Sequence, residues 1–285
     1  MAHGNLLAED GADAKEASVA TFVTDNLSLR EIAASGQVFT WHELERGRTD
    51  ARYLISSGTK RCIASQKGSM LTILTPSGAN PAPSALAYWK HYLALDQDYG
   101  AILQSLPLTD EQLSLCSGIR VLSQDWWDTA VSFMISQNSN IPRIQHAVDM
   151  LMDAAHGTIP RPRQLAKILA DESYAKGLKL GYRLPYLEAL TRASIHWHPA
   201  CLDDSSATLE DEMAELESIP GIGPKVASCI CLYGLGYLEA VPRDTWIKKA
   251  EERYSIEWDP AYGGIQQQYI FAWMRKTAQA EKEQK

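Results

Sequence analysis

Paired cysteines, long apolar runs and excess positive charge are all scarce in this sequence. Its five cysteines (Cys62, Cys116, Cys201, Cys229, Cys231) are odd in number and scattered, without a C-x-x-C pair or a histidine at ligand spacing. That pattern argues against a disulfide framework and against a zinc or iron-sulfur site, and predicts reduced thiols. The longest apolar stretches, such as VASCICLYGLGYL, are too short to span a bilayer and are interrupted by glycine. The opening MAHGNLLAEDGADAKEAS carries acids where a signal peptide would be basic, so a cytoplasmic protein is expected. The formal net charge of −8 is the wrong sign for a protein that binds by neutralising phosphates over its whole surface. Between Ile141 and Trp197, however, eight Lys/Arg face five Asp/Glu, which permits a local basic face.

What is present is a chain of 285 residues with 45% hydrophobic content, enough for one long domain or two modest ones. Residues 1–22 are small, polar and acidic, and read as a flexible tail. QVFTWHE, ARYLISSG, KRCIASQKG and SMLTILTPSG are apolar, β-branched runs punctuated by glycine, the pattern of an antiparallel meander. From PSALAYWKHYLALD onward the apolar spacing is helical. The predicted organisation is α+β: a small antiparallel β domain over 23–107, packed on a mostly helical body over 108–285.

Within the body, TLEDEMAELESI opens on Thr208 with an acid three residues on, a capping-box arrangement, and stops at Pro220-Gly221. A second helix restarts at Gly223-Pro224, proline standing where its missing N–H costs nothing. The unit is a helix-hairpin-helix, and its glycines leave amide groups free at a helix N-terminus, a phosphate site that needs no side-chain charge. Lys225 falls in the first turn of that second helix, on the face it shares with Cys229. The helix dipole and apolar neighbours both disfavour an ammonium there, and so favour the neutral amine that Schiff-base chemistry requires. An exposed lysine that only touches phosphate fits the position equally well. Asp244, in AVPRDTWIKKA, reads as the N-cap of the following helix, and the same carboxylate could stabilise a cationic sugar.

L-x-x-I-P-G-I-G-P-K-V-A-S-C-I-C-L followed by A-V-P-R-D resembles the core of the helix-hairpin-helix, Gly/Pro-rich loop, Asp (HhH-GPD) superfamily of DNA glycosylases, and within it the 8-oxoguanine DNA glycosylase/AP lyases. The resemblance makes Lys225 the nucleophile and Asp244 its electrostatic partner, with Gly221, Gly223 and Val226 of the hairpin on DNA. SGQVFTW is similar to the family's S-G-Q-x-F-x-W, which makes Gly36 the glycine whose carbonyl accepts the N7–H unique to 8-oxoguanine. SQNSNIPRI resembles S-x-N-x-N-I-x-R-I, implying that Asn138 fills the space of the extruded base and that Arg143 reads the orphaned cytosine. LGYR implies Tyr182 as wedge and Arg183 as a second cytosine contact, and YGGIQQQYIF implies Gln267 for the base edge and Phe271 for stacking opposite Cys229. In two places the chain departs from the family: Trp246 stands where a phosphate-contacting histidine is usual, and Gln137 replaces a serine.

The expected function is excision of 8-oxoguanine opposite cytosine in double-stranded DNA by a monomer, through a lysine Schiff base and β-elimination, without a cofactor, metal or membrane. A monofunctional glycosylase for alkylated bases is the nearest alternative, and Lys225 speaks against it. A noncatalytic DNA-binding module would explain the glycines but not the coincidence of Lys225, Asp244, Gln267 and Phe271. The absence of a four-cysteine cluster after the hairpin argues against the iron-sulfur branch.

Overall fold

The computed structural model describes residues 18–45, 47, 49–75 and 83–283. Five strands, β1 (Ser18–Val23), β2 (Trp41–Glu43), β3 (Ala51–Ser57), β4 (Lys60–Lys67) and β5 (Met70–Thr75), form one antiparallel sheet in the order β1-β5-β4-β3-β2. The β3–β4 and β4–β5 connections are two-residue turns that start on Gly58 (φ +60) and Gly68 (φ +57), the positive φ that a tight hairpin demands. β1 lies within the stretch read from sequence as a tail. Its alternate side chains are exposed, and it is held as an edge strand by β5, with Ser18 opposite Thr75. The first 17 residues of that tail lie outside the described residues.

Helices α1 (Leu29–Ala34) and α2 (Pro83–Tyr92) cover the inner face of the sheet. Leu29, Ile32, Ile55, Ala64, Leu71, Ile73, Trp89 and Tyr92 close a first core there. A second core gathers α3 (Tyr99–Ser105), α4 (Asp110–Leu115), α5 (Trp126–Ser136), α6 (Ile141–Asp153), α7 (Pro162–Leu169), α8 (Glu172–Gly177), α9 (Arg183–Ala193), α10 (Leu209–Glu217), α11 (Pro224–Gly234), α12 (Thr245–Arg253) and α13 (Gly263–Glu283). α3 packs into this second core, Phe39 reaches it from the sheet region, and Leu122 of the body closes the first, so the two cores interlock. α4 stops at Leu115, and the following turn carries Gly118 at φ +86.

α5 is the axis of the body. Residues Trp127 to Ile135 are all buried, as expected of a helix enclosed on every side, and its main partner is α11. The sheet is fastened to this axis by polar contacts. Asp125 caps α5 and pairs with Arg161 at 2.7 Å, while Asp128, one turn on, accepts the Gly58 amide at 2.7 Å. Burial, with Asp125 adding to it, pushes the Asp128 carboxyl well above the usual carboxylate range. Arg120 donates to the carbonyls of Asn26, Ala94 and Asp25, stitching the segment before α1 to the segment after α2. No helix among the described residues is long and apolar enough to cross a membrane.

Candidate active site

The hairpin forms as its glycines require. Gly221 sits at φ +92, and a Cβ there would lie 2.3 Å from Cγ of Tyr186. Gly223 caps α11 in an extended conformation, and a Cβ on it would meet nothing within 4 Å, so its amide borders open space. α11 then lifts Lys225 into a cleft of about 980 Å³.

Eight of the anticipated residues line that cleft: Gly36, Asn138, Gly223, Lys225, Val226, Asp244, Trp246 and Phe271. Lys225 Nζ stands 4.9 Å over the Phe133 ring. Burial raises the Cys229 thiol above its ordinary value, and the lysine pulls the other way. Asp244 caps α12 through Oδ1, which accepts the amides of Trp246 and Ile247, each at 2.9 Å. Its Oδ2 accepts no hydrogen bond from the described residues, so the capping role leaves half of the carboxylate for the cleft. Lys225 and Asp244 share the cleft without an ion pair inside 4.0 Å.

A continuous path of contacts joins the lysine to the glycine across the two cores. Phe133, beneath Lys225, stacks on Tyr233 with centroids 5.4 Å apart, and the Tyr233 hydroxyl donates to Gln268 Oε1 at 2.5 Å. Gln268 Nε2 in turn donates to the Ser35 carbonyl at 3.0 Å, next to Gly36. The rest of the S-G-Q-V-F-T-W motif is structural. Gln37, 1% exposed, bonds Ser35 Oγ, the Arg120 carbonyl and the Leu122 amide, and Phe39 meets Phe133 edge-on. Gly36 itself, at φ +81, lies against Phe271: a Cβ there would be 3.5 Å from the ring.

Cys229 and Gln267 do not line the open cleft but are buried at 2% and 3% exposure. Gln267 Oε1 has no hydrogen-bond partner among the described residues, an uncommon state for a buried carbonyl oxygen and one that leaves an acceptor waiting.

Arg143, Tyr182 and Arg183 do not line the cleft; Tyr182 and Arg183 contact the Gln137–Asn138 loop that does. Asn140 caps α6 by accepting the Arg143 amide at 3.1 Å, which presents Arg143, exposed, in the first turn. Asn138 takes a left-handed backbone (φ +44) and donates from Nδ2 to the Tyr182 hydroxyl at 3.0 Å. Arg183 is more committed than expected: it donates to the carbonyls of Gln137, Asn138 (2.6 Å) and Leu180 (3.1 Å), and its guanidinium lies 4.6 Å over the Tyr182 ring. Gln137, the departure from serine, has a purpose here: its Nε2 donates to the Gly221 carbonyl at 3.1 Å, tying this loop to the hairpin. Trp246 packs against the helical core with Lys249 Nζ 5.6 Å over its ring.

Sequence reasoning missed most of the positive charge. Among the described residues lining the cleft, Lys225, Arg243, Lys248 and Arg275 stand against the single acid Asp244. The basic face expected over 141–197 is thinned by ion pairs of Arg161 with Asp125, Lys176 with Glu172 and Arg192 with Glu188. Residues 243–275 gave no signal because their five Lys/Arg are offset along the chain by five Asp/Glu, of which Glu251 pairs with Arg243 at 2.8 Å. Among the described residues, no group of three or more His, Cys, Asp or Glu could hold a metal.

Residues 20–130 match the model of the N-terminal domain of 8-oxoguanine DNA glycosylase. An N-glycosylase/DNA lyase of Saccharomyces cerevisiae is 32% identical over 160 residues, 48% of this chain, and the match spans only 42% of that relative's length. The N-glycosylase/DNA lyase OGG1 of Arabidopsis thaliana is 26% identical over 81% of this chain and 67% of its own. The solved structure of MBOgg1 with a low-affinity DNA ligand superposes with a TM-score of 0.78 at 28% identity, covering 92% of this chain and 96% of that one. A sheet-and-helix frame of the same shape, a matching first domain and a lysine-bearing hairpin beside a capping aspartate converge: the chain is similar, in sequence over its first domain and in fold over nearly its whole length, to the 8-oxoguanine DNA glycosylases.

Proposed function

We propose that this chain is a monomeric DNA glycosylase and AP lyase that removes 8-oxoguanine lying opposite cytosine in duplex DNA. The observation that carries the reading is the sharing of one cleft by Lys225, Asp244, Gly36 and Phe271, contributed by α11, α12, the loop after α1 and α13.

The hairpin amides at Gly223 take a backbone phosphate. Asn138 and Tyr182 enter the stack as the damaged nucleotide leaves it, at a cost of a few kcal/mol that contacts to base and backbone offset. Phe271 stacks on the flipped base, the Gly36 carbonyl accepts its N7–H, and the unpartnered Gln267 Oε1 accepts from the N1–H and N2–H edge. Normal guanine carries an acceptor at N7 and is repelled by the same carbonyl. Neutral Lys225 attacks C1′, the C1′–N9 bond breaks with its electrons leaving on the base, and Asp244 Oδ2 stabilises the cationic sugar. The resulting N,O-hemiaminal opens by cleavage of C1′–O4′, with O4′ taking the electron pair and a proton, to a protonated imine that acidifies C2′–H. Loss of that proton expels the 3′ phosphate and cuts the strand.

Incubation with an 8-oxoguanine:cytosine duplex and borohydride tests the reading. The expected result is a covalent protein–DNA adduct that disappears in Lys225→Gln. Base release without an adduct would instead indicate the monofunctional alternative, and binding without chemistry a DNA-binding module.

A further inference from the structure

Arg275 lies one helical turn beyond Phe271 on α13 and faces the same cleft. Its guanidinium sits over the Phe271 ring, 5.3 Å from the centroid, and Nη1 comes within 3.4 Å of the point where a Gly36 Cβ would be. Arg275 makes no ion pair inside 4.0 Å with the described residues. Its hydrogen bond, to the Ala34 carbonyl, is 3.5 Å long, at the outer limit for such a contact. A guanidinium has five donors. Here most are unused at the rim of a cleft, which is the condition of a group waiting for an acceptor.

The chemistry of the base indicates which acceptor. Resting on the assignment of this cleft to flipped 8-oxoguanine, the lesion differs from guanine at two adjacent atoms: N7 gains a hydrogen and C8 gains a carbonyl oxygen. A protein surface complementary to that pair needs an acceptor and, beside it, a donor. The Gly36 carbonyl is the acceptor, and the neighbouring donor is Arg275 Nη1. We infer that Arg275 is a lesion-reading residue that donates a hydrogen bond to the C8 oxygen of 8-oxoguanine. Guanine fails both halves of this test, since it offers a lone pair at N7 and a C–H at C8.

The test compares 8-oxoguanine with 8-thioguanine, which keeps N7–H but replaces the C8 oxygen with sulfur, a poor acceptor. Arg275→Leu keeps apolar bulk against Phe271 and removes the donors, while Arg275→Lys keeps the charge. For Arg275→Leu, kcat/KM on 8-oxoguanine falls about 10-fold or more, whereas 8-thioguanine changes by less than about 2-fold. Arg275→Lys recovers part of the 8-oxoguanine rate. Equal losses on both bases would overturn the inference, because Arg275 would then act by seating Phe271. A parallel loss of affinity for undamaged duplex would overturn it too, in favour of a phosphate contact. Should the wild-type protein excise neither base, the assignment of the cleft fails first, a result distinct from either of these.

Discussion

Asn138 and Tyr182, 44 residues apart in sequence, are joined by a 3.0 Å hydrogen bond from the amide of one to the hydroxyl of the other. The group assigned to fill the vacated stack and the group assigned to wedge it open are thus coupled in the free protein. Tyr182→Phe breaks the bond without removing the ring. Single-turnover excision slows several-fold, and a cycle with Asn138→Ala shows a coupling of about 0.5–1.5 kcal/mol. Additive effects would mean that the two residues act independently.

Arg143 and Arg183 are not equivalent. Arg143 is exposed at the start of α6, whereas Arg183 holds the carbonyls of Gln137 and Asn138. Both substitutions to alanine relax the preference for cytosine opposite the lesion. Arg183→Ala in addition lowers excision against every opposite base, by about 10-fold, because the Asn138 loop loses its clamp. Excision rates with each of the four opposite bases distinguish the two patterns, and unchanged discrimination in both variants would remove the assignment.

The two hairpin glycines separate stability from binding. Gly221→Ala drives a methyl group into Tyr186 at a positive φ, and costs about 2–4 kcal/mol in urea unfolding. Gly223→Ala meets no protein atom, so stability changes by no more than about 0.5 kcal/mol while duplex affinity falls. Denaturation midpoints and fluorescence anisotropy on one duplex measure both quantities.

Asp128 makes stability depend on pH in the direction opposite to most carboxylates. Its carboxyl is raised by burial above the ordinary 3.8, so the folded state holds a proton that the unfolded chain releases. Its contribution is complete below that value and is lost as pH climbs toward the folded-state pKa, by at most about 1.4 kcal/mol per pH unit. Asp128→Asn retains an acceptor for the Gly58 amide and removes the titration. As pH rises above the ordinary 3.8, the stability of the wild-type protein relative to this variant falls. A difference that stays constant from below pH 3.8 upward would show that the folded-state carboxyl is not raised.

What could be read from the sequence was local. The Thr208 capping box, the proline at the start of α11, the Asp244 cap and the glycine turns of the sheet each depend on residues a few positions apart, and each formed as expected. β1 was misread because its partner, β5, lies about fifty residues away and its own alternation is confined to six residues. The Gln137 link to Gly221, the Gln268 link to Ser35 and the Arg275 contact with Phe271 and Gly36 were likewise hidden. A glutamine or arginine on a helix does not announce which distant carbonyl it will reach. Charge density was misplaced for the same reason: sequence counts cations along the chain, and folding decides which of them find acids.

α13 carries Phe271 and Gln267, and it also holds down the opposite wall, through Gln268 to Ser35 and through a 2.6 Å ion pair between Lys276 and Glu31. The sheet domain and the last helix are therefore a single unit of exchange. A chimera that takes residues 20–130 from a related 8-oxoguanine DNA glycosylase while keeping this α13 would inherit mismatched anchors, and the cleft would be misaligned even though every strand folded. Transplanting the two segments together preserves the fit.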